Sequence, residues 1–162
     1  MSEVVEISKA NARKAYKAAP TEFKKVLSDL IGTDVLNADV MERVKSYEDA
    51  CFDLGLDPEE ELPYLNPVNA RQERANCRAQ ADIIADALCE GWVPDHTTQS
   101  QTKYEVRAVM VASGRGFAFS DAVSGYTHSF VGARQFPTQK LAEYFFTQFI
   151  NIHEKYLPKC KK

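Results

Sequence analysis

The sequence predicts an α+β fold: N-terminal helices, then a three- to four-stranded antiparallel meander packed by a long C-terminal helix. Three observations predict it. Apolar residues recur at helical spacing through most of residues 7–91. From Tyr104 to Phe136 they alternate with period two, broken by glycine-bearing turns. From Leu141 to Tyr156 they return to one helical stripe.

The elements follow in order. Residues 7–19 form a short helix with a thin stripe of Ala12, Ala15, Tyr16 and Ala19, ended by Pro20. Thr21 caps a second helix over 22–31, where Phe23, Val26, Leu27, Leu30 and Ile31 share a face and Gly32 closes the end. Residues 33–38 read as a loop. Residues 39–54 continue helical with a break near Ser46, because Ser46-Tyr-Glu-Asp49 is a capping-box-like start. Cys51 falls on the apolar face and reads as core. Glu59-Glu-Glu61 with Pro63 and Pro67 is a surface linker. Residues 68–91 form the longest helix, polar in its first half and apolar in its second. Trp92, Val93 and Pro94 are expected to pack over its end.

The β block comes next. Tyr104, Val106, Ala108 and Met110 share one face of a first strand, and Ser113-Gly-Arg-Gly116 turns the chain. Phe117 and Phe119 share a face of the second strand, and Tyr126, His128 and Phe130 of a third. Gly132–Phe136 supplies a short fourth. Pro137-Thr138 then opens a single helix carrying Leu141, Tyr144, Phe145, Gln148, Phe149, Ile152 and Tyr156 on one stripe.

Size and composition fit one domain with an attached arm. The expected division is an N-terminal helical arm over 1–32, a single α+β domain over 33–158, and a basic tail over 159–162. With 162 residues, 44% hydrophobic and 27% charged, the chain can bury a core without staples. It has no apolar run long enough to span a bilayer, and its first residues lack the apolar core of a signal peptide. The expected location is the cytoplasm that makes the chain or a particle assembled there. Four cysteines form no CxxC pair, and Cys77 and Cys89 lie too far apart on one helix to bridge, so reduced thiols are expected.

Charge is uneven. Residues 1–100 carry 11 Lys and Arg against 19 Asp and Glu, a net −8, whereas residues 101–162 carry 9 against 4, a net +5. The basic end invites a polyanion or an acidic partner, or it faces the acidic half. A nucleic-acid or partner contact would draw on Lys103, Arg107, Arg115, Phe117, Phe119, Tyr126 and Arg134. Arg115-Gly-Phe-Ala-Phe119 matches the first five positions of the RNP1 signature, in which a basic residue meets phosphate and strand aromatics stack on bases. Ser120-Asp-Ala122 breaks that signature, and core packing of the phenylalanines accounts for the same letters.

Catalytic and metal patterns are missing from the sequence. His96, His128 and His153 make no HxxxH or HExxH pair, and a site would need a fold-assembled set such as His128 with His153. Ser113 and Ser124 precede glycines in hairpin turns rather than in a nucleophile elbow. Arg71, Arg74 and Arg78 share a helix face and read as a solvated or interface strip. No catalytic residue, metal or cofactor is expected, and the chain is not read as an enzyme.

Three stretches resemble a family of small uncharacterised proteins from crAss-like phages and related mobile elements of Bacteroidetes. They are Ser46-Tyr-Glu-Asp-Ala-Cys51 with Leu54-Gly-Leu-Asp-Pro58, Ile83-Ile-Ala-Asp-Ala-Leu88 with Glu90-Gly-Trp-Val-Pro-Asp95, and Gly132-Ala-Arg-Gln-Phe136 with Leu141-Ala-Glu-Tyr144 and Gln148-Phe149. The family carries a dense aromatic cluster near the first strand, where this chain reads Lys103-Tyr-Glu-Val-Arg-Ala108. The resemblance implies a phage or mobile-element origin and a virion-associated role, and it implies no chemistry. The reading is therefore a non-catalytic structural or interaction protein of a phage-like element, whose partners are other phage or virion proteins or itself. The alternative is a small nucleic-acid-binding module built on the basic, aromatic-rich C-terminal block.

Overall fold

The computed structural model describes residues 9–97, 101–110, 117–125 and 134–157, with the backbone alone for 9, 10, 14, 17, 34, 37, 107–110 and 117–125. The elements are α1 (Lys9–Ala18), α2 (Thr21–Ile31), α3 (Thr33–Asn37), α4 (Val40–Arg43), α5 (Tyr47–Leu54), α6 (Ala70–Cys89), β1 (Lys103–Met110), β2 (Phe117–Gly125), β3 (Gln135–Phe136), α7 (Gln139–Gln148) and α8 (Ile150–Tyr156).

This corrects the expected fold class: the chain is predominantly helical, and the described sheet is not a meander. One long antiparallel pair, β1 with β2, makes most of it, and β3 adds two residues on the far side of β1 in the order β2-β1-β3. The expected third strand at Tyr126–Phe130 lies outside the described residues. Of the expected fourth at Gly132–Phe136, residues 132 and 133 lie outside the described residues, and Gln135–Phe136 is a two-residue strand that pairs with Glu105 and Tyr104. Period-two alternation marks extended backbone but says nothing of which strand it pairs with.

The C-terminal helix is also corrected. Phe149 sits at φ −107°, ψ 26° and divides it into α7 and α8. The apolar stripe runs through both pieces, which is why periodicity reads them as one. Phe136, Phe145 and Phe149 fill the space between helices and sheet, and His153 Nε2 bonds back to the Phe145 carbonyl at 3.0 Å.

Local chemistry explains the helical ends. Ser46 accepts from the Asp49 amide while Asp49 accepts from the Ser46 amide, a complete capping box that starts α5. Asn69 accepts from the Arg71 and Gln72 amides at the start of α6. Pro20 precedes the first residue of α2, Thr21, so Thr21 is inside the helix rather than its cap. Residues 33–37, expected as loop, form the short α3 after Gly32, whose φ of 93° turns the chain. The end of α6 is unusual: Glu90, not Gly91, takes the first left-handed position, with φ 49°.

The core is one cluster. Val44, Tyr47, Ala50 and Cys51 from the α4–α5 region meet Ala81, Ile84 and Leu88 of α6, and Phe136, Ala142, Phe145 and Phe149 close it from the other side. Tyr144 ties the layers together, its hydroxyl lying 2.8 Å from the Met41 carbonyl and 2.9 Å from that of Val44. Trp92 departs from expectation. It is half-buried and outside this cluster, and Val93 beside it is exposed. Its amide bonds to Cys89. The long α6 packs chiefly on α5 and α8.

Candidate functional site

Of the residues singled out for nucleic-acid or partner contact, side chains are described for Lys103 and Arg134 alone, the first buried and the second paired within the chain. Lys103 is 1% exposed, and its ammonium donates to the Gln101 carbonyl at 3.1 Å. The same strand buries Glu105, which accepts from Gln135 Nε2 at 2.8 Å. Lys103 therefore sits in a buried polar end of the central strand. Arg107 lies in β1 opposite Ser120, Phe117 opposite Met110, and Phe119 opposite Ala108. Arg115 and Tyr126 lie outside the described residues, as does His128.

Arg134 is committed to intramolecular work. Its guanidinium meets Asp82 at 2.5 Å, donates to the Arg78 carbonyl at 3.1 Å and to the Tyr156 hydroxyl at 3.3 Å, and lies 5.7 Å from the Tyr156 ring. Tyr156 in turn lies 2.8 Å from His153 Nδ1. The Phe145 carbonyl can only accept, so His153 carries its proton on Nε2 and accepts from Tyr156 at Nδ1. Burial holds His153 below its usual range, with the Arg134 charge adding to the effect, and burial raises Tyr156. The ring also stacks on Phe146 at an interplanar angle of 7°. This is a satisfied core histidine.

A second polar cluster was not legible as such. Arg13 on α1 and Arg43 on α4 both donate to Oδ1 of Asp53 on α5. Arg43 also reaches Glu90 at 2.6 Å and the Ala38 carbonyl at 3.0 Å, and Arg13 reaches the Val35 carbonyl at 3.4 Å. Two arginines and two carboxylates balance in charge. A cavity of about 370 Å³ adjoins them, bounded by Val35, Phe52 and Asp49. Because both guanidiniums already meet carboxylate and carbonyl oxygens of the same chain, the arrangement acts as a clasp rather than an anion receptor. It fastens α1 to the body of the same chain. No local motif announces it, since its members are spread along the chain from Arg13 to Glu90.

The exposed feature is α2. None of its residues is buried, and Phe23, Val26 and Leu30 are 62%, 52% and 76% exposed. These three sit at i, i+3 and i+7, one side of a helix. Helical spacing marks this stripe as apolar, and amphipathicity signals that a face is to be covered without naming what covers it. The helix rests on α1 and α3, and the row faces away from the core cluster.

Reactive groups of other kinds are held quiet. Burial raises the thiols of Cys51 and Cys77 and pushes that of Cys89 up to about 11, and Cys89 Sγ lies 3.5 Å from the Gln135 carbonyl. The face of Arg71, Arg74 and Arg78 on α6 is exposed, as are Glu59, Glu60, Glu61 and His96. Among the described residues, no group of three or more His, Cys, Asp or Glu is placed to hold a metal ion, and no helix is long and apolar enough to cross a membrane. Comparison of the chain with protein-family models, curated proteins and solved structures finds no match.

Proposed function

We propose that the chain is a non-catalytic interaction protein of a phage-like element, taken up into the particle through contacts made by α2. The observation that carries the reading is the uncovered apolar row of Phe23, Val26 and Leu30 on a helix with no buried residue. Supporting it, the charged groups of the Arg13–Asp53 and Arg134–Asp82 clusters are paired within the chain. The phage-like origin rests on the resemblance of the Ser46–Pro58, Ile83–Asp95 and Gly132–Phe149 stretches.

The test is incorporation. Particles purified from producing cells should contain the wild-type chain, detected by mass spectrometry. A Phe23→Gln/Leu30→Gln chain should fold and be lost from them. Particles without the wild-type chain would remove the virion assignment, and equal incorporation of the variant would remove α2 from the reading.

A further inference from the structure

We infer that α1, α2 and α3 form a latched arm that lifts off the body as one unit while α4–α8 and the sheet stay folded, and that the Arg13–Asp53 pair is its latch. This goes beyond the interaction reading above and does not depend on it.

The arm owes little of its placement to apolar burial. Among the described residues, the core cluster begins at Val40 and takes nothing from α1–α3. Of the arm's described side chains, Ala12 and Leu36 are the buried apolar ones, and neither belongs to that cluster. The helix α2 buries none of its residues. Arm and body meet chiefly where α1 lies on α5, and a cavity of about 370 Å³ lies in this seam. Arg13 and Val35 bound it from the arm, and Arg43, Asp49, Phe52 and Asp53 from the body. A seam packed to the density of an interior leaves no space of that size. A segment with few buried apolar contacts opens ahead of the rest of its domain.

The polar contacts divide along the same seam. Within the arm, Arg13 donates to the Val35 carbonyl at 3.4 Å, and the Lys24 ammonium lies 5.7 Å from the centre of the Tyr16 ring. The helices α1 and α2 pack on each other and both pack on α3. These ties travel with the arm. Across the seam, Arg13 donates to Asp53. On the body side, Asp39 accepts from the Met41 amide at 2.9 Å, and Arg43 holds the Ala38 carbonyl at 3.0 Å. Both bonds survive release, so α4 keeps its start. The hinge falls at the end of α3, where Ala38 turns extended at φ −56°, ψ 134°. Release leaves Asp53 paired with Arg43 and takes Arg13 into water, so no charge is stranded inside the body.

Native-state hydrogen exchange of the full chain, followed residue by residue over a series of low denaturant concentrations, reads this directly. The slowest amides of α1, α2 and α3 are expected to share one opening reaction, more frequent than that of the central amides of α6 and with a smaller denaturant slope. Two variants separate the units. Ile84→Val weakens only the core, where Ile84 is fully buried. It should quicken exchange in α6 by about two- to tenfold and leave the arm's rates unchanged. Arg13→Gln removes the latch. It should quicken the slowest amides of α1, α2 and α3 by one common factor of at least about tenfold. Arm amides that respond to Ile84→Val as α6 does would show a single cooperative unit and overturn the proposal. Rates in α2 or α3 that ignore Arg13→Gln while α1 quickens would show helices fraying independently, and rates unmoved in all three would deny the pair its role; each result overturns it as well.

Discussion

Arg13 and Asp53, 40 residues apart, are joined by an ion pair in which the Asp53 carboxylate accepts from Arg43 through the same oxygen. The pair carries α1 across to α5 and is the main polar contact of the N-terminal helix with the body of the chain. Burial lowers the Arg13 pKa, and the neighbouring Asp53 opposes that shift. The carboxylate is thus what makes a largely enclosed guanidinium tolerable.

Removing that carboxylate should therefore be costly. Asp53→Ala leaves two guanidiniums enclosed without their shared acceptor and is expected to lose about 3 kcal/mol in urea unfolding. Arg13→Lys should not restore wild-type stability, because an ammonium cannot reach both Asp53 and the Val35 carbonyl as a fork does. Hydrogen exchange should show α1 amides losing protection in both variants. Wild-type protection of α1 in Asp53→Ala would refute the clasp.

Tyr144 offers a cleaner single bond. Its hydroxyl bridges α7 to the Met41 and Val44 carbonyls, and Tyr144→Phe removes the hydroxyl alone. The expected loss is about 1–2 kcal/mol, read as a shift in denaturation midpoint with an unchanged slope. An unchanged midpoint would mean that water replaces the bond at no cost.

His153 should make stability depend on pH. Its folded pKa lies below the unfolded value, so the unfolded state binds the extra proton first. Stability is then fully present above the unfolded value of about 6.5 and is lost progressively as pH falls below it. Melting temperatures of wild type and His153→Gln, compared from about pH 8 to about pH 5, should show a shallower slope for the variant. Equal slopes would place the titration elsewhere.

The thiols supply a fourth check. Cys51 and Cys77 are buried, and Cys89 is pushed up to about 11. All three should resist iodoacetamide in the native protein at about pH 8 and react fully in denaturant, since the thiolate is the reactive form. Native labelling of Cys51, which is fully buried in the core, would contradict its placement between α5 and α6.

Much of the local structure was written in local residues. The capping box at Ser46, the long α6, the break between α4 and α5 and the core position of Cys51 all follow from side chains a few residues apart. The candidate site was far less legible. Lys103 and Arg134 read as basic surface by composition, yet one is interior and the other is paired with Asp82. Charge counts have no depth coordinate, and a lysine at the start of a strand looks the same buried or exposed.

What the sequence by itself determined is the capped start of α5 at Ser46, the long α6, the extended backbone of β1 and β2 and the apolar stripes of the helices, because hydrogen-bonded turns and caps are settled over three or four residues. Only the tertiary structure decided that β3 joins β1 rather than extending a meander, and that Phe149 divides the last helix. It also decided that Arg13 closes on Asp53 and that the apolar face of α2 finds no cover among the described residues of its own chain. These depend on which distant surfaces meet, and one apolar stripe fits many partners equally well until the rest of the chain occupies the space.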